Sequence, residues 1–177
     1  MFSDPEHNIE QLMLGQGMKV AEFGVGSGHY ALSAGKAVGE SGRIYAIDIQ
    51  RGLLERLKSL TREKSLSNVE IVWGDLEAPN GSKLGSELCD AGIVANVLSQ
   101  VEDKGSFSRE VFRVIKKGGK ILLVDWSDSF GGLGPHKDDI IKEAEAKALF
   151  EKLGFSVEKS IYAGEHHFGI ILRKPKS

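Results

Sequence analysis

Apolar residues fall into two alternating periods along the chain. Short β-branched, apolar runs at 20–23, 43–47, 69–73, 90–96, 120–126, 155–161 and 167–173 predict seven strands. Between them the period lengthens. Leu53, Leu54, Leu57 and Leu60 recur at helical spacing and predict a helix over 51–64 with one apolar face. Further helices are expected over 29–38 and over 107–115, the latter stopping at Lys116-Lys-Gly-Gly119. One over 138–153 opens on acids and stops at Gly154, and a short one over about 6–14 precedes the first strand. Strands alternating with helices predict a parallel sheet covered on both faces.

The first strand runs into Glu22-Phe-Gly-Val-Gly-Ser-Gly28. Glycines without a Cβ let the backbone approach a ligand closely. At the carboxyl end of a strand such a loop makes a small-molecule site. A dinucleotide fingerprint needs G-x-G-x-x-G. Here the position of its third glycine is His29, and the loop is G-x-G-x-G behind an acid. The spacing therefore argues against a nicotinamide dehydrogenase. About twenty residues on, Asp48 ends the second strand, where a carboxylate can accept from ribose hydroxyls. Asp75 follows the third strand in Gly74-Asp75-Leu76, within reach of an adenine amino group.

In these pieces, with Ala46-Ile-Asp48, Asn96-Val-Leu and Val114-Ile-Lys-Lys-Gly-Gly-Lys-Ile-Leu-Leu, the chain resembles the class I S-adenosylmethionine (AdoMet)-dependent methyltransferases over roughly residues 9–173. It is closest to the small members related to the ubiquinone/menaquinone-biosynthesis and arsenite methyltransferase groups. The resemblance implies an α/β Rossmann-like three-layer sandwich. Its seven-stranded, mostly parallel sheet has the order 3-2-1-4-5-7-6 with strand 7 antiparallel, and ligands sit between strands 1 and 4. It also implies AdoMet as methyl donor and S-adenosylhomocysteine as product. Gly24, Gly26 and Gly28 would line the methionine portion, with Glu22 and Phe23 beside them and Glu22 near its amino group. Asp48 would take the ribose hydroxyls and Ile49 would pack on the adenine. Gly74 and Asp75 would face the adenine amino group and the Leu76 backbone a ring nitrogen. Asn96 and Val97 would flank the donor and face the acceptor.

A chain of 177 residues suits one domain spanning 1–177, without a separate cap. The net charge of −2 gives nucleic-acid binding no electrostatic support. A single cysteine, Cys89, leaves no internal disulfide and suits a reducing cytoplasm. It also cannot supply the several thiolates that arsenic methylation uses in the resembled family, so Cys89 is expected to be a small core residue. The N-terminal residues show no signal pattern, and no apolar run nears the roughly 18 residues of a membrane span. The expected setting is therefore cytoplasmic. The missing cap predicts an open acceptor site or one finished in a homo-oligomer.

On the acceptor side the expectations are thinner. Where several relatives carry a histidine after the fourth strand, this chain has Ser99 or Gln100. Trp126 ends the fifth strand, where it either stacks on a flat acceptor or simply packs. It opens the glycine-rich segment Ser127 to His136, a candidate lid or a plain connector. His166, His167 and His136 are candidate bases, since an imidazole titrates near neutrality. Their competing role is that of surface or hydrogen-bonding histidines. No metal ligand set stands out. Small-molecule methyl transfer is the leading expectation. Methyl transfer to RNA or protein, and non-enzymatic AdoMet binding, are its alternatives.

Overall fold

The computed structural model describes residues 3–177. The absence of a signal pattern was expected partly from residues 1 and 2, which lie outside the described residues. In chain order the elements are α1 (Pro5–Leu12), β1 (Lys19–Phe23), α2 (His29–Val38), β2 (Arg43–Asp48), α3 (Arg51–Glu63), β3 (Val69–Trp73), β4 (Cys89–Ala95), α4 (Lys104–Val114), β5 (Ile115–Trp126), α5 (Glu143–Glu151), β6 (Ser156–Tyr162) and β7 (His167–Arg173). The sheet order is β3-β2-β1-β4-β5-β7-β6, and β7 runs antiparallel to β5 and β6. This is the order that the family resemblance implies.

The central strands read as continuous apolar runs because both their faces are covered. In β1 every residue after Lys19 is buried. One face packs Ile9, Leu12, Ala34, Val38, Leu54 and Leu57 of α1, α2 and α3. The other packs Phe107, Val111, Ala146 and Phe150 of α4 and α5. Each fully buried leucine or phenylalanine contributes about 1.5–3 kcal/mol of burial. Gly92 in β4 is small for a steric reason: a Cβ there would lie 2.9 Å from Ile115 Cδ1 and 3.1 Å from Phe23 Cε2. Cys89 is buried in the same core, and burial pushes its thiol up to about 12.

Several boundaries differ from the sequence expectation. The helix expected from Asp138 begins at Glu143. Asp138 and Asp139 form a single 3-10 turn, and Ile140 is extended (φ −69°, ψ 122°), which lets Ile141 reach the core. The fifth strand starts at Ile115 rather than Lys120, because Ile115 pairs with Cys89 before a register irregularity. α4 begins three residues earlier than Phe107, where the Asp103 carboxylate accepts from Ser106 N at 2.8 Å. α1 ends at Leu12 because Met13 turns left-handed at φ 55°. No helix among the described residues is long and apolar enough to cross a membrane.

Candidate functional site

β1 is bonded to β2 on one side and to β4 on the other, so the chain diverges at the carboxyl end of β1. Two adjoining cavities open there and share Gly24, Asp48, Gln50, Val97 and Gln100. This is the switch point of an open α/β sheet, where such folds bind ligands.

Glu22 forms part of one cavity although it is 1% exposed. Its Oε2 has no hydrogen-bond partner among the described residues. Burial, then the neighbouring charge of Asp48, pushes its carboxyl well above the usual range, against a hydrogen bond from the Ala31 backbone. An uncompensated buried carboxylate is costly unless something cationic meets it. Asp48 stands beside it and is better satisfied. Its Oδ2 accepts from Val25 N at 2.9 Å and its Oδ1 from Gln50 N at 2.8 Å. A carboxylate oxygen carries two lone pairs, so each still has acceptor capacity.

The three glycines do different jobs. Gly26 (φ 51°) faces open space: a Cβ there meets nothing within 4 Å. Gly24 (φ 94°) lies against Val97, whose Cγ2 would be 2.9 Å from a Cβ. Gly28 (φ 84°) caps α2, and a Cβ there would press Leu57 at 3.0 Å. Gly24 and Gly26 line the cavities; Gly28 does not. Phe23 does not either: its ring is wholly buried, edge-on to Phe107. Strand alternation turns Phe23 to the face opposite Glu22.

The second cavity has Ile49, Gly74, Asp75 and Leu76 in its wall. Asp75 is exposed and its Oδ1 accepts from Glu77 N at 3.0 Å. Gly74 is dictated by packing as well as position, since a Cβ there would lie 2.2 Å from the Gly81 carbonyl. At the end of β4, Asn96 is left-handed (φ 55°), and its buried Oδ1 has no partner among the described residues. Its carbonyl accepts from Gln100 Nε2 at 2.8 Å. Behind this turn Asp125 is fully buried. It accepts from Leu98 N at 3.0 Å and Trp126 N at 2.8 Å, and burial pushes its carboxyl up to about 6.

Sequence reasoning missed Gln50, Gln100 and Tyr30 as lining residues. Gln50 was findable, two positions past Asp48; Tyr30 follows the glycine loop. The Tyr30 hydroxyl is held 3.0 Å from Ser3 Oγ and accepts from Asn8 Nδ2 at 2.9 Å, which docks α1 beside the cavity. Ser99 is not in either cavity. It borders a separate acidic groove with Glu102, Asp138 and Glu145, and Gln100 joins the two regions.

The candidate histidines and Trp126 do not line the two cavities either. His136 is exposed beside Asp138. His166 bonds Asp128 at 2.7 Å and stacks on Phe130 at 4.5 Å. His167 is 8% exposed, tilted against Trp126 at 4.2 Å, and neither ring nitrogen has a partner among the described residues. Burial, then His166, lowers its pKa. The loop from Ser127 is structured at its centre. Phe130 and Leu133 exchange backbone hydrogen bonds across Gly131 (φ 56°) and Gly132 (φ 77°), as a two-residue hairpin requires. Gly134 then passes so close to Trp126 that a Cβ would lie 2.8 Å from its ring.

Comparison with known proteins bears on the family and the fold. A family model described as a methyltransferase domain matches residues 14–168. A demethylmenaquinone methyltransferase of Geobacillus sp. (strain WCH70) is 24% identical over 123 residues, 69% of this chain and 51% of that protein. A protein-L-isoaspartate O-methyltransferase of Methanococcus maripaludis is 42% identical over 66 residues, 37% of this chain and 31% of that protein. The chain thus spans about half or less of the length of these curated relatives. The crystal structure of a SAM dependent methyltransferase from Aquifex aeolicus superposes with a TM-score of 0.87 at 26% identity, covering 97% of this chain and 90% of that one. The chain belongs to the methyltransferase-domain family.

Proposed function

We propose that this chain transfers a methyl group from AdoMet to a small-molecule acceptor, by in-line displacement at the carboxyl end of β1 and β4. One observation carries the reading. Glu22 holds a buried carboxylate oxygen, unpartnered among the described residues, in a cavity floored by Gly24 and Gly26. That oxygen suits the ammonium group of the donor's methionine portion, and the open space at Gly26 suits its chain.

The remaining roles follow in order along the cavity. Asp48 takes the ribose hydroxyls with the acceptor capacity its two amide partners leave. Ile49 packs on the adenine, Asp75 accepts from the adenine amino group, and the Leu76 backbone addresses a ring nitrogen. Asn96 and Val97 flank the reacting end. When bound, AdoMet supplies a sulfonium whose methyl group is electrophilic without further activation. The protein's own contribution is to orient that methyl and keep water out, which is worth up to about 7–11 kcal/mol in favourable cases. A base is needed where the acceptor arrives protonated. His136, His166 and His167 line neither cavity, so no base is assigned here.

The relatives support the donor side more than the acceptor side, because a quinone-pathway enzyme and a protein-modifying one both match. The small-molecule reading draws on the former and on the net charge of −2.

Titration calorimetry with AdoMet, S-adenosylhomocysteine and NAD tests the proposal. Micromolar binding of the first two without NAD is the expected result. Binding of NAD alone, or of none, overturns it.

A further inference from the structure

We infer that Trp73 is a positioning residue for the adenine end of the donor cavity, acting through Ile49; the inference rests on the donor reading above. Ile49 is an unusual wall for a binding site. It is 54% exposed, so the core does not hold it, yet it borders the cavity beside Asp48 and Asp75. What holds it is the last residue of β3. Trp73 pairs in register with Asp48, and its indole N–H donates to the Ile49 carbonyl at 3.0 Å. Gly74 N donates to the Asp48 carbonyl at 3.1 Å, and Gln50 N to the Asp48 carboxylate at 2.8 Å. The turn carrying Ile49 is thereby tied on both sides of that residue and at it.

The indole is itself held. Trp73 is 45% exposed and gains little from burial. Instead the Arg51 guanidinium stands 4.1 Å from its ring centroid and Lys83 Nζ 4.8 Å. Cations at these distances are attracted to the ring face even at exposed sites. Both cations sit where local preference opposes them. Arg51 opens α3, whose first turn has no acid and no side-chain cap, against the positive end of the helix dipole. Lys83 takes φ 59°, a conformation that side chains other than glycine and asparagine rarely adopt. Two locally disfavoured cations converge on one exposed ring, and that ring's N–H is spent on the Ile49 carbonyl. The consistent account is that the ring must point its N–H in one direction.

A double-substitution cycle on the full chain tests this, with S-adenosylhomocysteine as the probe. Trp73→Phe keeps an aromatic face for the cations and deletes the N–H. Its Kd should rise about 3- to 10-fold, the loss of one hydrogen bond. Ile49→Ala should also weaken binding. In the Ile49→Ala background Trp73→Phe should then change Kd by less than about twofold, because the wall it positions is gone. A merely structural tryptophan would give losses that multiply across the cycle. Multiplying losses, or wild-type affinity in Trp73→Phe, overturn the inference. If the unsubstituted protein binds no S-adenosylhomocysteine, the donor reading itself fails, which the same titration shows separately.

Discussion

Glu22, next to last in β1, and Asp48, the last residue of β2, contribute to one cavity, and the charge of Asp48 raises the proton affinity of Glu22. The two acids are unequal. Asp48 is anchored by two backbone amides, whereas Glu22 has an oxygen with no partner among the described residues and is the more deeply buried. The free protein therefore carries an electrostatic cost at Glu22 that a cationic ligand would relieve.

Replacing Glu22 by Gln should separate stability from binding. The folded-state pKa of Glu22 is raised, so between its unfolded and folded values the native protein holds a proton that the unfolded chain has released. Stability falls as pH rises through that window, and Glu22→Gln removes the loss. The variant should melt at a higher temperature than wild type at about pH 7 and bind AdoMet at least about tenfold more weakly. Differential scanning calorimetry beside titration checks both halves. A variant that is more stable and binds as wild type would leave Glu22 without a ligand role.

Asp48 should show losses in both. Asp48→Ala strands Val25 N and Gln50 N, at a stability cost of about 1–3 kcal/mol, and should weaken AdoMet binding by about 1.5–3 kcal/mol. The milder Asp48→Asn keeps one acceptor and tests the ribose contact directly. Wild type should discriminate against a deoxyribose analogue of S-adenosylhomocysteine, and Asp48→Asn should discriminate less. Equal preference in both proteins would place the ribose elsewhere.

The glycine loop makes the contrast sharper. Gly26→Ala adds a methyl into open space at a left-handed φ of 51°, so it should cost only the roughly 1–2 kcal/mol of that conformation and stay folded while binding is lost or sharply reduced. Gly28→Ala instead forces a strained φ of 84° and a contact with Leu57, and should cost about 1–3 kcal/mol of stability. Measured by denaturant titration and by binding, Gly28→Ala should lose more stability than Gly26→Ala, and Gly26→Ala more binding.

That contrast also shows where the sequence is legible. The strands themselves were readable from local period, and the acids Glu22, Asp48 and Asp75 from their place at strand tips, whereas the strand order came only from the family resemblance that those pieces carry. The lining of the cavities was partly readable from those strand tips. Gly28 and Phe23 misled because motif membership does not say which side of the backbone a residue serves. Gly28 answers to Leu57 of α3, and Phe23 to Phe107 of α4, contacts that exist only once the helices dock. Gln100 and Tyr30 carried only their nearness to the fourth strand's end and to the glycine loop: whether they line the cavity depends on the turn at Asn96 and on α1 docking through Asn8. The start of α5 differs because Asp138 and Asp139 resemble a helix N-terminus, while burial of Ile141 keeps residues 140–142 out of the helix.

Asp125 offers a test that needs no ligand. It lies at the end of β5 with no exposed surface, and its two oxygens hold the Leu98 and Trp126 amides. Burial outweighs those hydrogen bonds and the more distant charge of Lys104, so its pKa rises from 3.8 to about 6. Between those values the native state keeps a proton that the unfolded state has lost. Stability should thus decline as pH climbs from about 4 to about 6 and then level off, by roughly 3 kcal/mol in all. Glu22 adds a decline of the same sign, so wild type alone does not isolate Asp125. The difference between wild type and Asp125→Asn does. Asparagine cannot ionise and leaves one of the two amides without an acceptor, so the variant should be the less stable protein at about pH 4. The gap should shrink or reverse by about pH 7, because wild type alone has then taken on a buried charge at this position. Urea denaturation at about pH 4, 5 and 7 reads the gap, and a gap independent of pH would mean that Asp125 has the same pKa in the folded and unfolded states.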